Sequence, residues 1–273
     1  MKALTLAFAA LIATSVAASA AEDLSEPLPP KDVHWSFEGP FGTYDRAALQ
    51  RGFQVYKEVC SACHSLNRVA FHDLIGPPGP GGGEGGDGFF TEPQAKAIAA
   101  GYKVPADPDE KGDTTDDKGQ PLMRPAILAD HFPAPFANEN AARANNGGAL
   151  PPDLSLIVKA REGGPQYVYS IVTGDGSPVP HGFKVIDGKY YDPYFPGRNI
   201  SMPPPLRNDS VTYSDGTKAT LDQEAHDVVT FLTWASEPKL EERHRLGFGV
   251  MLFMLLLSGL LFLSYRKVWH DAH

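Results

Sequence analysis

The chain has 273 residues, enough for one large domain or two small ones, and its apolar fraction of 42% is ordinary for a fold with a core. With 27 glycines and 25 prolines, breakers are numerous enough to call for long ordered loops in place of continuous secondary structure. A formal net charge of -9 excludes the basic surface of a nucleic-acid binder and leaves a domain that repels anions and attracts basic partners.

At the N-terminus, Lys2, an apolar run over 4–16 and the small residues Ala18-Ser19-Ala20 read as a secretory signal over residues 1–20. The run is too short and too rich in Ala for a membrane span, so the mature chain is expected to begin near Ala21 and to fold outside the cytoplasm. Residues 22–45 are Pro-rich and polar and predict an extended arm. Residues 44–59 predict a helix, with Ala47, Leu49, Phe53, Val55 and Tyr56 as apolar surface and Asp45 as cap. That helix runs directly into Cys60.

The run Gly76 to Gly88 excludes helix and central strand and predicts a loop. A short helix is expected over 92–100, and an acidic polar stretch follows over 106–119. Pro151 and Pro152 are expected to open a helix over 153–161, with another over 165–172. The stretch 174–208 predicts loops with a short hairpin. Residues 221–236 predict the clearest helix of the domain: Thr220 and Gln223 fit a capping box, Val228, Phe231, Leu232 and Ala235 share a face, and Pro238 stops it. Residues 246–265 hold no charge and match the roughly 20 residues needed to cross a bilayer. Basic residues flank this run on both sides, with Lys239, Arg243 and Arg245 before it and Arg266 and Lys267 after it, so their count does not orient it. The signal does: it sends the preceding domain across first, the run then acts as a stop-transfer anchor, and residues 266–273 stay in the cytoplasm.

The chemistry-bearing motif is Cys60-Ser61-Ala62-Cys63-His64, the C-x-x-C-H pattern of c-type haem attachment. Each thiol adds across one haem vinyl group to give a thioether, and two intervening residues set the sulfurs at the separation of the vinyls. The adjacent His64 then lies under the porphyrin and binds iron as an axial ligand. These are the only two cysteines, so a four-ligand zinc site has no second pair to draw on. A thioredoxin-type dithiol would leave His64 unexplained and lacks a surrounding βαβ pattern. One covalently bound haem c is the expected cofactor.

The sixth ligand of an electron carrier is most often a thioether, which stabilises ferrous iron and raises the potential. Outside the leader and the apolar anchor, Met123 and Met202 remain. Met123 has the separation from His64 that suits small cytochromes. Met202 sits in the stiff run Met202-Pro203-Pro204-Pro205. Spacing and stiffness leave the two nearly even, and either can instead be core packing.

The ordered set Cys60 to His64, Met123-Arg124-Pro125, Ala144 to Ser155 (ANNGGALPPDLS), Tyr167 to Gly174 (YVYSIVTG), Tyr194-Phe195-Pro196-Gly197 and Met202-Pro203-Pro204, ahead of a C-terminal anchor, resembles the cytochrome c1 family over nearly the whole mature chain. The resemblance implies Met202 as the sixth ligand, opposite His64. It implies haem contacts at Asn145 or Asn146, Ala149, Pro151, Pro152, Arg161 and Tyr167, with Arg161 on a propionate. The glycine-rich run at 76–88, and an extra glycine in Asn145-Asn146-Gly147-Gly148, depart from the family pattern.

The resemblance further implies a mainly α c-type cytochrome domain at 21–245 with long Pro/Gly-rich loops, plus one transmembrane helix at 246–265. The expected place is a bacterial inner membrane, crossed once, with the haem domain in the periplasm. The implied function is electron transfer from a Rieske iron–sulfur protein to a cytochrome c, without bond-making on this chain. The setting is a dimeric quinol–cytochrome c oxidoreductase that also contains cytochrome b. The rival readings are a free-standing membrane cytochrome and a haem peroxidase or sensor with an open sixth position. The acidic stretch, with Asp107, Asp109, Glu110, Asp113, Asp116 and Asp117, is either a solvated loop or a patch that draws a basic cytochrome c.

Overall fold

The computed structural model describes residues 26–77, 87–174 and 176–270. The expected secretory signal, most of the glycine-rich run and the last residues of the expected cytoplasmic tail lie outside the described residues. The domain is mostly helical with little sheet, as the sequence implied.

Helix α1 spans Arg46–Glu58, and the Asp45 carboxylate accepts the Ala47 and Ala48 amides at 2.9 and 3.3 Å. Its inner face buries Ala48, Leu49, Gly52, Phe53, Val55 and Tyr56. Helix α2 (Glu92–Ala100) starts in a full capping box between Thr91 and Gln94. Helix α3 (Glu139–Asn145), capped by Asn138, was not anticipated. Helix α4 spans Gly164–Val172 and helix α5 Leu221–Ser236. Two short antiparallel hairpins complete the domain: β1 (Lys103–Pro105) with β2 (Met123–Pro125), and β3 (Tyr190–Tyr191) with β4 (Asn199–Ile200).

Two expectations fail in detail. Residues 153–161 form turns, not a helix. The Asp153 carboxylate and the Leu154 amide bond back to Ser65 and Asn67, which draws the segment onto the Cys60–His64 region, and Gly163 and Gly164 at φ 80 and 51 cut off any continuation. The capping box of α5 is half formed: Thr220 Oγ1 accepts the Gln223 amide, while the Gln223 side chain donates to Asp227 at 3.0 Å.

The core is the crossing of α1 on α5. Phe53 and Tyr56 meet Phe231 at 5.7 and 5.6 Å between ring centroids, and Phe89 meets Trp234 edge-on at 4.9 Å. The helices approach this closely because position 52 is glycine: a Cβ there would lie 2.0 Å from the Asp227 carbonyl oxygen and 2.8 Å from Phe231 Cβ. Neither backbone oxygen nor ring stem can yield cheaply. Gly52→Ala is therefore expected to push the helices apart and cost about 1–3 kcal/mol or more, as overpacking does. A denaturant titration followed by far-ultraviolet circular dichroism measures it, and an unchanged midpoint would contradict this crossing.

Helix α6 spans Leu240–Trp269, 30 residues, and contains the whole apolar run expected at 246–265. It is long and apolar enough to cross a membrane, and none of its central apolar window is covered by the domain. Its helical start, several residues before the apolar run, is tied to the domain by ion pairs of Glu241 with Arg46 at 2.8 Å and of Lys239 with Asp87 at 2.7 Å.

Candidate haem site

Helix α1 delivers the motif. Its last amide, Val59, still bonds to Val55 at 2.9 Å; the backbone then tightens into one 3-10 turn over Cys60–Ala62, closed by the Cys63 and His64 amides on the Cys60 carbonyl at 3.1 and 2.9 Å. The two thiols are not joined to each other, and Cys63 is exposed. Cys60 packs against the core, and burial, then the neighbouring Cys63, pushes its thiol up to about 12.

His64 is held by a carbonyl. Its Nδ1 lies 2.8 Å from the Pro152 oxygen, and because a carbonyl only accepts, Nδ1 carries the proton in that contact. Nε2 is then the lone-pair nitrogen and the one available to a metal. Burial lowers the imidazole pKa, against the opposing pull of the Pro152 carbonyl and the Asp153 charge, which keeps the ring in its neutral, ligating form.

Asp153 fastens the two segments. Its Oδ2 accepts from Ser65 Oγ and the Asn67 amide, both at 2.8 Å, and its Oδ1 accepts the Ser155 amide at 2.9 Å. Burial raises this carboxyl, but the hydrogen bonds from Asn67, Ser155 and Ser65 outweigh it and leave the pKa below the ordinary value. Tyr56 adds a bond from its hydroxyl to the His64 carbonyl at 3.3 Å.

The structure thus brings Cys60, Cys63, His64 and Pro152 together. Pro151 precedes Pro152 and is half-buried. Asn145 and Asn146 end α3 with their amides turned back onto Ala141 and Ala142 at 2.8 and 2.7 Å. Asn146 is the half-buried one of the two, and its carbonyl accepts the Ala149 amide at 3.0 Å. Gly147 and Gly148, which follow, both have positive φ, 58 and 88. Among the described residues no hydrogen bond joins Asn145, Asn146 or Ala149 to the Cys60–His64 motif. Arg161 is exposed, donates to the Ala160 carbonyl, and has its charge near Tyr167, whose phenol is raised by burial and pulled down by that guanidinium.

Met202 is half-buried after β4 and lines a small cleft with Ile171, Tyr191, Asp192, Ile200 and Pro203. Its loop is stiff for reasons beyond the prolines. Lys189 Nζ bonds Ser201 Oγ. Arg198, at φ 51 and 4% exposed, donates Nε to the Glu26 carbonyl at 2.6 Å, and the Leu28 amide bonds Pro193 at 2.7 Å. The extended arm therefore clamps the hairpin that carries Met202. Met123 is 49% exposed on β2, on the strand face opposite Arg124, whose guanidinium forks onto Asp130.

These residues fit a haem by the chemistry of their donors. Two unpaired thiols stand one turn apart, a neutral imidazole offers Nε2, and a thioether sits on a clamped loop. Among the described residues no group of three or more His, Cys, Asp and Glu side chains is placed to hold a bare metal ion. Sequence reasoning missed Asp153, Tyr56 and the Glu26–Arg198 clamp. Only Asp153 left a trace, in the Asp-x-Ser pattern of a side chain that caps its own turn.

Residues 35–272 match the model of the Cytochrome C1 family. The chain is 45% identical over 262 residues to cytochrome b/c1 of Bradyrhizobium diazoefficiens, covering 89% of this chain but only 36% of that longer protein. It is 46% identical over 253 residues to cytochrome c1 of Rhodospirillum rubrum, covering 87% of this chain and 86% of the relative. It is 44% identical over 259 residues to the mitochondrial cytochrome c1 haem protein of Kluyveromyces lactis, covering 95% of this chain and 80% of the relative. With the attachment turn, the His64–Pro152 contact and the long apolar helix in one chain, and with relatives this close in bacteria and mitochondria, the protein belongs to the cytochrome c1 family.

Proposed function

We propose that this chain is the haem-bearing electron-transfer subunit of a quinol–cytochrome c oxidoreductase, taking electrons from a Rieske iron–sulfur protein and passing them to a cytochrome c, with cytochrome b as the other core partner. The observation that carries the reading is the 2.8 Å contact from Pro152 to His64 Nδ1 beside two unpaired thiols, because it presents Nε2 of a neutral imidazole for ligation. Bound haem supplies a one-electron ferric/ferrous couple. Cys60 and Cys63 would hold it through thioethers, His64 Nε2 and Met202 Sδ would ligate its iron, and Arg161 would neutralise a propionate. Pro151, Pro152, Ala149, Asn146 or Asn145, and Tyr167 line it. None of these groups needs to make or break a bond during turnover. Their role is to hold one coordination geometry in both oxidation states.

The topology follows from the leader. Residues 1–20 direct export and are removed, residues 21–245 fold in the periplasm of a bacterial inner membrane, residues 246–265 span it, and residues 266–273 remain in the cytoplasm. The assembly is dimeric. Mild detergent extraction through a tag on this chain is expected to bring down cytochrome b and the iron–sulfur protein together. Recovery of the chain alone, with its haem, would favour a free-standing cytochrome. A ferric spectrum lacking the far-red sulfur-to-iron band would favour the peroxidase or sensor reading.

Residues 107–119 of the acidic stretch are all exposed, and their backbone is shaped by their own carboxylates. Asp109 Oδ1 accepts the Lys111 and Asp113 amides at 2.8 and 2.9 Å, and Asp116 Oδ1 accepts those of Lys118 and Gln120, both at 2.9 Å. Asparagine keeps the acceptor oxygen and removes the charge, so Asp113, Asp116 and Asp117 can be neutralised together without unfolding the turns. The triple Asn variant is expected to associate severalfold more slowly with a basic cytochrome c at low ionic strength. The difference should close as salt shortens the Debye length to about 10 Å at 0.1 M. Stopped-flow oxidation at several salt concentrations reads this directly, and equal low-salt rates would assign the stretch to solvation alone.

A further inference from the structure

The turn at residues 38–43 is built to present one side chain. The Glu38 amide bonds the Trp35 carbonyl at 3.2 Å, Gly42 bonds Gly39 at 3.3 Å and Thr43 bonds Ser36 at 3.0 Å, with Gly39 at φ 76. Phe37 and Tyr44 at its base are buried in the core, their rings 5.5 Å apart. At its tip Phe41 is 75% exposed. A rigid turn that holds a phenylalanine out of the core forgoes the stabilisation of burial unless something else covers the ring.

What covers it is indicated by its neighbour. The Phe41 ring stands 6.0 Å from that of Phe248, in the first turn of the apolar run of α6. The start of α6 and the residue Glu237 ahead of it are locked to this turn. Glu241 accepts the Tyr44 amide at 2.8 Å, the Tyr44 hydroxyl donates to the Glu237 carbonyl at 3.0 Å, and His244 Nδ1 lies 3.2 Å from the Gly42 carbonyl. Phe41 is therefore fixed at the depth of Phe248, and the apolar side chains beyond that point, Met251 and Leu255 among them, are exposed on a membrane-length helix.

We propose that the 38–43 turn is a second membrane contact: Phe41 enters the interfacial layer of the phospholipid bilayer beside the anchor helix, holding the haem domain at two points. The occupant is lipid because the patch is continuous with a helix whose apolar surface the domain leaves uncovered, and an aromatic ring at the headgroup level is favourable. Two contacts fix the tilt of the domain on its anchor, which a single helix would leave free. The inference rests on the reading of α6 as a membrane span.

The test uses the full-length, haem-loaded chain in phosphatidylcholine vesicles. With Cys60 and Cys63 taken up by haem, Phe41→Cys provides the one free thiol, for a nitroxide label. Leu255→Cys and Glu110→Cys serve as mid-span and aqueous references, with the haem kept reduced. Power-saturation electron paramagnetic resonance compares collisions with oxygen, which partitions into lipid, and with a water-soluble nickel chelate. The Phe41 label is expected to show an oxygen-to-nickel ratio severalfold above that at Glu110 and on the Leu255 side of the scale. A ratio equal to that at Glu110, with Leu255 still lipid-like, would overturn the contact while leaving the span intact. Low access to both reagents would place another copy of the chain over the ring and overturn it equally. A water-like ratio at Leu255 would remove the span and the proposal with it.

Discussion

Met202→Leu should leave the haem covalently attached, abolish the far-red sulfur-to-iron band of the ferric state and lower the reduction potential. Axial ligands set haem potentials over a range of about 0.8 V, so a fall of at least roughly 0.1 V is expected on loss of the thioether. Leucine conserves the volume of the side chain and its apolar character, so packing changes little and ligation changes completely. The clamped loop makes the effect large. Ser201 is tied to Lys189, Arg198 to the Glu26 carbonyl, and three prolines follow, so the loop resists the shift that would bring in a replacement. Met123→Leu is the matched control. That residue is 49% exposed on a short hairpin, and its substitution should leave band and potential unchanged. A visible spectrum and a potentiometric titration of both variants decide the ligand. Loss of the band in Met123→Leu with its retention in Met202→Leu would transfer the assignment.

Legibility followed the range of the interactions. Helices at 46–58, 92–100 and 221–236 were readable within two residues because their signals are local: Asp45 and Thr220 as caps, a stripe of apolar residues, and Pro238 as a stop. The expected helix at 153–161 failed because Asp153 turns one carboxylate oxygen onto Ser65 and Asn67, more than eighty residues away in sequence, and periodicity does not see such partners. The β1–β2 hairpin escaped for the same reason: its three-residue strands are separated by the acidic stretch. At the site, Cys60, Cys63 and His64 are adjacent in the chain, so chemistry alone nominates them. Pro152 came only from family resemblance, and the atom that touches His64 is its backbone oxygen, which any residue would carry. What the proline ring contributes is a fixed approach for that oxygen. The clamp on the Met202 loop was invisible because it runs from a carbonyl of the arm to an arginine in a left-handed turn, a conformation uncommon for a side chain of that size.

Arg51→Met should be strongly destabilising while sparing every expected haem ligand. Arg51 sits one residue before the Gly52 crossing and donates Nε and Nη2 to the two Asp227 oxygens at 2.8 and 3.1 Å, and Nη1 to Asp215 at 3.0 Å. The Asp227 side chain is fully buried, against 14% exposure for Arg51. The methionine keeps most of the alkyl stem but no donor, so Asp227 is left in the α1–α5 interface without a charge partner, beside the Gln223 amide at 3.0 Å and the Tyr213 hydroxyl. Breaking a buried pair from one side costs about 3–5 kcal/mol, a large share of the roughly 5–15 kcal/mol that holds a typical domain together. Exposed pairs behave differently: Lys96 and Glu92 lie 2.6 Å apart but are 62% and 43% exposed, and solvent screening leaves Lys96→Met with little effect on stability. The double variant Arg51→Met/Asp227→Leu should recover most of the loss, since it removes the stranded charge along with its partner. The consequence for the site is direct, because α1 leads into the Cys60 turn and α5 is what α1 rests on. The thioethers keep the haem attached while the crossing loosens, so the far-red band should disappear at a lower denaturant concentration in Arg51→Met than in the wild type. A midpoint for Arg51→Met no different from that of Lys96→Met would show that the crossing is held by its aromatic packing alone.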